Sequence, residues 1–254
     1  MPWLSSLRSA VLAAMLALAP TITKAETATV AVAANFATTL EKLAQTFVEQ
    51  SGHDIRIVVG STGKLYTQII HGAPFDIFLA ADTVRPARLV DDGMARPEDR
   101  RTYAVGRLVL WSRSDAPSED TLRSGTVTRL AIANPELAPY GTAAIEVLAH
   151  YGLTGPRAPA LVMGENIAQA TAMLVTGNVD HGLVPLSIRA HAAVDDAGHL
   201  WTIPAAAHAP IRQDGVLLKR GTQNPAAVAF FAYLTSDDSR AAIAADGYDQ
   251  APEE

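Results

Sequence analysis

The feature that most constrains this chain is an alternation of two patterns. Runs rich in β-branched and aliphatic residues (29–33, 55–59, 75–79, 108–111, 130–133, 183–184 and 215–218) are separated by windows with apolar residues at helical spacing. The clearest window sets Leu40, Leu43, Ala44, Phe47 and Val48 on one face and stops at Gly52. Others cover 63–71, 141–151 and 166–175, each closing near a glycine (Gly72, Gly152, Gly177) where a helix C′ residue is expected. Such alternation predicts an α/β fold with mostly parallel sheets covered by helices.

A chain of 254 residues can form one large domain or two lobes with proper cores. With 49% apolar and 18% charged residues it is globular rather than disordered. A net charge of −6 and the absence of a Lys/Arg cluster argue against a nucleic-acid partner. No cysteine is present, which excludes disulfides and thiolate chemistry. Residues 1–25 read as a cleaved signal peptide: Arg8, then the apolar AVLAAMLALA, then Pro20 and the small residues Thr23 and Ala25. That apolar run is too short for the roughly 20 residues of a membrane span. The expected product is exported and soluble, compatible with a bacterial periplasm. Candidate crossings at 102–106 and 203–210 divide it into lobe I (26–104 with 208–254) and lobe II (105–207).

In open α/β sheets ligands bind beyond the carboxyl ends of the strands, where helix N-termini present unpaired N–H groups and a positive dipole end. Four such junctions stand out. VAVAA is followed by Asn35, IRIVVG by Ser61, Thr62 and Gly63, LAIANPELAP by Tyr140, Gly141 and Thr142, and ALVMGE by Asn166 and Ile167. Taken singly, each is an ordinary N-cap worth about 1 kcal/mol, and that reading outweighs a functional one. Together they carry neutral donors and place no Lys or Arg directly at the turn; Lys64, one residue on, is expected to point to solvent. A set of N–H and O–H donors without formal charge suits an oxyanion. Donors alone accept a fully deprotonated ion and reject one whose remaining proton needs an acceptor.

Enzymatic readings fare worse. Gly60 and Gly63 are too close for a phosphate loop of the form G-x-x-x-x-G-K-[ST], and Ser61 follows Gly60 too directly for a nucleophile elbow. The seven histidines form neither a metal motif nor a recognisable triad. Asp76, inside an apolar run, is either a buried network residue or a pocket acceptor. Asp82 reads as an N-cap, and Asp91 and Asp92 as a solvated helix end. Tyr103, Trp111 and Trp201 read as core packing beside the crossings.

At these same junctions the chain resembles the periplasmic molybdate-binding proteins of ABC importers. The matching stretches are VAVAANFATTLEKLAQTF, GSTGKLYTQIIHGAPFDIFLAAD, TYAVGRLVLWS, LAIANPELAPYG, GLVPLSIR and NPAAVAFFAYLTSDDSRAAIAADGY, in the family's order over about 28–248. The resemblance implies a type II periplasmic binding-protein fold, with two α/β lobes joined by a two-strand hinge and closing on a tetrahedral oxyanion. It implies molybdate or tungstate as ligand, no cofactor, and a monomer that delivers to a membrane permease with a cytoplasmic ATPase. Carried over by position, the binding residues are Asn35, Ser61, Thr62, Tyr140 and Ile167. Two positions depart from the family: Ala34, where some members have a hydroxyl, and Pro185, where some have a tyrosine that bonds the anion. Open beside this reading are a receptor of the same fold for sulfate or another oxyanion, and a secreted hydrolase using Ser61.

Overall fold

The computed structural model describes residues 25–190 and 198–250. The targeting segment read over 1–25, apart from Ala25, and His191 lie outside the described residues.

The strands divide between two five-stranded sheets. The first takes β1 (Thr27–Ala33), β2 (Asp54–Gly60), β3 (Ile77–Leu79), β4 (Ala95–Gly106) and β10 (Ile211–Leu218), in the order β2-β1-β3-β10-β4. The second takes β5 (Leu108–Ser112), β6 (Arg129–Ala133), β7 (Ala160–Gly164), β8 (His181–Pro185) and β9 (His199–Thr202), in the order β7-β6-β8-β5-β9. Both follow one plan. β2, β1 and β3 pair in parallel, as do β7, β6 and β8. β10 and β4, like β5 and β9, pair antiparallel. The alternation in sequence predicts mostly parallel sheets, yet parallel pairing fills only the half of each sheet whose strands are linked by helices. The remaining strands carry the chain between the sheets, and antiparallel neighbours need no crossover helix. Arg107 alone separates β4 from β5, and residues 203–210 join β9 to β10.

Helices α1 (Ala37–Ser51), α2 (Thr62–Ile70) and α3 (Val84–Asp91) belong to the first sheet, and α4 (Glu119–Arg123), α5 (Pro139–His150) and α6 (Ile167–Val175) to the second. α7 (Pro225–Tyr233) and α8 (Asp237–Ala245) return to the first. α1 buries Leu40, Leu43, Ala44 and Phe47 with Phe230, Phe231 and Ile243 on one side of the first sheet, while Leu65, Ile69, Phe78 and Leu89 fill the other. Each large side chain so buried contributes about 1.5–3 kcal/mol. α1 ends at Gly52, whose φ of 70° suits glycine and whose N–H reaches Val48 O at 3.0 Å. α7 has no helical period to read, because PAAVAFFAY is apolar on nearly every side. The N-cap of α3 is Thr83 rather than Asp82, which stands one residue earlier and accepts from Arg85 N in the first turn at 2.8 Å; Asp91 and Asp92 are exposed at the helix end.

The second lobe's core, with Trp111, Leu130, Ile132, Val147 and Leu174, also takes in Ala33, Ala34 and Ala81. These three lie at or just past the carboxyl ends of β1 and β3. The two lobes therefore meet where the sheets present their helix starts. Among the described residues no helix is long and apolar enough to cross a membrane.

Candidate functional site

The meeting point holds a small chamber of about 10 Å³, lined by Ala33, Ala34, Asn35, Thr62, Ala81, Ala138, Pro139, Tyr140, Asn166 and Ile167. Four of the five residues singled out by sequence (Asn35, Thr62, Tyr140 and Ile167) thus come from four separate segments onto one cavity. None of its lining residues is charged. Ser61 sits one residue behind Thr62, 2% exposed, and is not part of the lining.

Local sequence explains the arrangement. α2 and α6 begin with ordinary caps: Ser61 Oγ accepts from Lys64 N at 3.4 Å, and Asn166 Oδ1 from Gln169 N at 3.1 Å. Gly63 N donates to Leu137 O at 2.9 Å. The third and second N–H of α2 are so used, and Thr62, its first residue, lines the chamber. Ile167, the first residue of α6, stands in the same position. α5 opens with Pro139, which has no N–H, so Tyr140 supplies its first. Three helix N-termini thus point their positive dipole ends at one cavity, each worth about 0.3–1 kcal/mol to an anion and up to ~2 when partly buried.

The hydroxyls are oriented too. Thr62 Oγ1 accepts from Ala81 N at 3.1 Å, as Ser61 Oγ accepts from Lys64 N. A hydroxyl that already accepts an N–H keeps its own proton to give. Tyr140 is 2% exposed, and burial, with Tyr248 nearby, holds its phenol well above the usual tyrosine range, so it stays neutral and protonated.

Behind the chamber lies a buried polar network that sequence reading did not find. Gln213 is fully buried on β10 and accepts from Asn35 Nδ2 at 2.8 Å and Tyr103 Oη at 3.1 Å. Its Nε2 donates to Tyr140 Oη at 3.3 Å. Tyr248 Oη donates to the Asn35 carbonyl at 2.6 Å and lies 3.3 Å from Asn35 Nδ2, while Ser187 Oγ donates to that same carbonyl at 3.2 Å. Tyr103 is therefore core, as read, and also part of this network through its hydroxyl. A hydrogen bond from the Asn35 amide to a ligand must share a proton already given to Gln213 or, more weakly, to Tyr248. Periodicity gave no signal for these residues, since each is an isolated polar residue whose partner is distant in sequence.

Two further readings are corrected or resolved. Lys64 does not simply point to solvent: its side chain, 50% exposed, reaches across to Glu165 at 2.5 Å. Asp76 is a network residue rather than a pocket acceptor. It lies at the amino end of β3, accepting from Thr29 N at 2.8 Å and Asn224 Nδ2 at 3.3 Å, with Arg220 at 3.3 Å. Ala34 lines the chamber, while Pro185 lines an adjoining groove of about 270 Å³ with Asn35, Ile167 and Ser187.

Two α/β lobes linked by two crossings and closed on an uncharged cavity of helix starts define a two-lobed solute-binding protein. The family model for bacterial extracellular solute-binding proteins matches residues 28–249. The chain is 43% identical over 222 residues to the molybdate-binding protein ModA of Azotobacter vinelandii, covering 86% of this chain and 88% of that one. It is 40% identical over 220 residues to the ModA of Rhodobacter capsulatus, covering 86% of each. The solved structure of the A. vinelandii periplasmic molybdate-binding protein matches with a TM-score of 0.80 at 36% identity, over 88% of this chain and 99% of that one. The chain belongs to the ModA family of bacterial extracellular solute-binding proteins.

Proposed function

We propose that the protein is a periplasmic receptor that captures molybdate, and tungstate with it, between its lobes and hands it to an ABC permease driven by a cytoplasmic ATPase. The observation that carries this reading is the chamber itself, small, uncharged and lined by the Thr62 and Tyr140 side chains and the starts of three helices. Charge-assisted hydrogen bonds contribute about 1.5–3 kcal/mol each, so a handful of them offsets the desolvation of a small dianion without a counter-charge. Asn35, Ser61, Thr62, Tyr140 and Ile167 supply those donors, and no bond is made or broken.

Export by cleavage of residues 1–25 fits a receptor that works outside the cytoplasm, and the A. vinelandii relative of solved structure is itself described as periplasmic. Ser61 is engaged as a helix cap with Lys64 N, an arrangement that supports binding and not nucleophilic attack.

Calorimetric titration of the purified mature protein with molybdate, tungstate and sulfate tests the reading. Tight one-to-one binding of the first two, with sulfate weaker, is expected. Sulfate binding with no heat from molybdate would replace it with a sulfate receptor, and covalent labelling of Ser61 by a fluorophosphonate would replace it with a hydrolase.

A further inference from the structure

Gln213 lies outside the chamber lining, yet it touches two residues that line it, Asn35 from the first lobe and Tyr140 from the second. The directions of the hydrogen bonds between them are traced from one acceptor that cannot turn, the Asn35 carbonyl; Tyr103, whose one proton lies between Ala80 O at 3.0 Å and the Gln213 amide at 3.1 Å, fits either end of that amide. The main-chain carbonyl of Asn35 can only accept, and the single proton of Tyr248 goes to it at 2.6 Å or to Ser187 Oγ at 3.1 Å, which itself donates to that carbonyl. Tyr248 Oη then has only lone pairs for the Asn35 side chain 3.3 Å away, which must turn its NH₂ toward it. The same NH₂ gives its other proton to Gln213 at 2.8 Å, so position 213 presents its oxygen there. Its nitrogen consequently faces Tyr140 and donates, and the Tyr140 proton is left without a protein acceptor among the described residues.

We infer that Gln213 is a positioning residue: it sets the polarity of a relay running from the Asn35 carbonyl through Tyr248, Asn35 and Gln213 to Tyr140, and so makes the Tyr140 hydroxyl a donor to the ligand. This rests on the oxyanion reading and deepens it. The specificity for a fully deprotonated ion is enforced from a residue that never touches it. An amide is needed at 213 because both its ends are used with opposite polarity. The relay also spans the lobes, since Gln213 and Asn35 belong to the first sheet's side and Tyr140 lies in the first turn of α5 on the second.

The substitution Gln213→Glu discriminates sharply. An ionised carboxylate takes the proton of Tyr140 and reverses the relay's last step; once protonated, its O–H donates to Tyr140 again and its carbonyl still accepts from Asn35. Other titratable groups facing the position do not interfere. The phenols of Tyr103, Tyr140 and Tyr248 are all held above the usual range by burial. The Asp214 carboxylate is paired with Arg100 and Thr102, and that of Asp82 with Arg85. Burial raises the introduced carboxyl above the ordinary ~4.3 of glutamate.

The experiment is calorimetry with molybdate from about pH 8.5 to pH 6 on wild type, Gln213→Glu, Gln213→Met and Tyr140→Phe, and on the double variant Gln213→Glu/Tyr140→Phe, with melting curves to confirm folding. Wild type is expected to vary little. Gln213→Glu should bind roughly tenfold or more weaker at the alkaline end and recover as pH falls. Gln213→Met, similar in size, should be weak at every pH. Tyr140→Phe should cost wild type about tenfold but cost Gln213→Glu little at high pH, because its hydroxyl no longer donates there. Loss without acid recovery in Gln213→Glu, or additive effects of the two substitutions, would overturn the inference and leave Gln213 a packing residue. Should Gln213→Glu not fold, wild-type affinity in Gln213→Met would overturn it equally. A wild-type protein that binds neither molybdate nor tungstate defeats the oxyanion reading itself, and this inference falls with it.

Discussion

Gly63 N donates to Leu137 O at 2.9 Å, a main-chain hydrogen bond from the first turn of α2 in one lobe to the loop before α5 in the other. A Cβ built on Gly63 would stand 3.2 Å from that carbonyl and 3.3 Å from Leu137 Cα and Arg85 Nη2. Closure thus brings backbone against backbone, with Arg85 Nη2 to Glu136 O at 3.2 Å and Lys64 to Glu165 beside it. Glycine permits this approach for want of a side chain.

Replacing Gly63 by valine should therefore wedge the lobes without damaging either core. Molybdate affinity is expected to fall roughly tenfold or more, since even a 1.4 kcal/mol bias against closure costs that factor. Small-angle scattering in saturating molybdate should show a more extended particle than wild type. An unchanged scattering profile with unchanged affinity would mean that closure does not depend on this approach.

Ser61 both caps α2 and, on the proposed reading, donates to the anion. Ser61→Ala is expected to cost about 1 kcal/mol of stability from the cap and about ten- to a hundredfold in affinity from the lost charge-assisted bond. Asn35→Ala should weaken binding as well, and it removes a donor from Gln213, which keeps Tyr103, and from Tyr248, at about 0.5–1.5 kcal/mol. Thermal melts and calorimetry on the same samples separate the two effects; affinity at wild-type level in both variants would remove these residues from the site.

Phosphate should not compete with molybdate at neutral pH. Its remaining proton requires an acceptor, and no carboxylate lines the chamber, Asp76 being engaged at the far end of β3. Competition titration checks this, and strong displacement by phosphate would require an acceptor within the chamber.

Stability should decline on the alkaline side. Burial raises the phenols of Tyr103, Tyr140 and Tyr248 above their unfolded value near 10. Groups raised in the folded state hold protons that the unfolded chain releases, so their contribution is complete below about pH 10 and is lost as pH climbs from there toward the folded values. Urea titrations at about pH 8, 10 and 11 should give steadily falling midpoints, and Tyr103→Phe should flatten the trend. A midpoint unaffected by pH over that range would contradict the burial of these hydroxyls.

Much of this was legible from local pattern. The period of α1, the glycine that ends it and the caps at Ser61 and Asn166 are all written within a turn or two of sequence, because helix propagation and termination are local events. The start of α3 was legible for the same reason, though its N-cap is Thr83 and not Asp82. β4 was less so, since its opening residues Arg96, Pro97 and Glu98 are exposed and carry no alternation. The parallel and antiparallel halves of each sheet were not legible at all, because strand order is a long-range choice.

By itself, then, the sequence determined where helices start and the neutral donors Ser61, Thr62, Tyr140 and Ile167 at those starts; Asn35, expected as a cap, lies instead in a 3-10 turn just before Phe36, the N-cap of α1. Only the tertiary structure decided that four of these five share one cavity, that Lys64 meets Glu165, and that Gln213 joins Asn35 to Tyr140 across separations of 178 and 73 residues. Caps and periods depend on neighbours along the chain. The direction in which a hydroxyl gives its proton depends on every lone pair already taken around it, and those are assembled only when the lobes close.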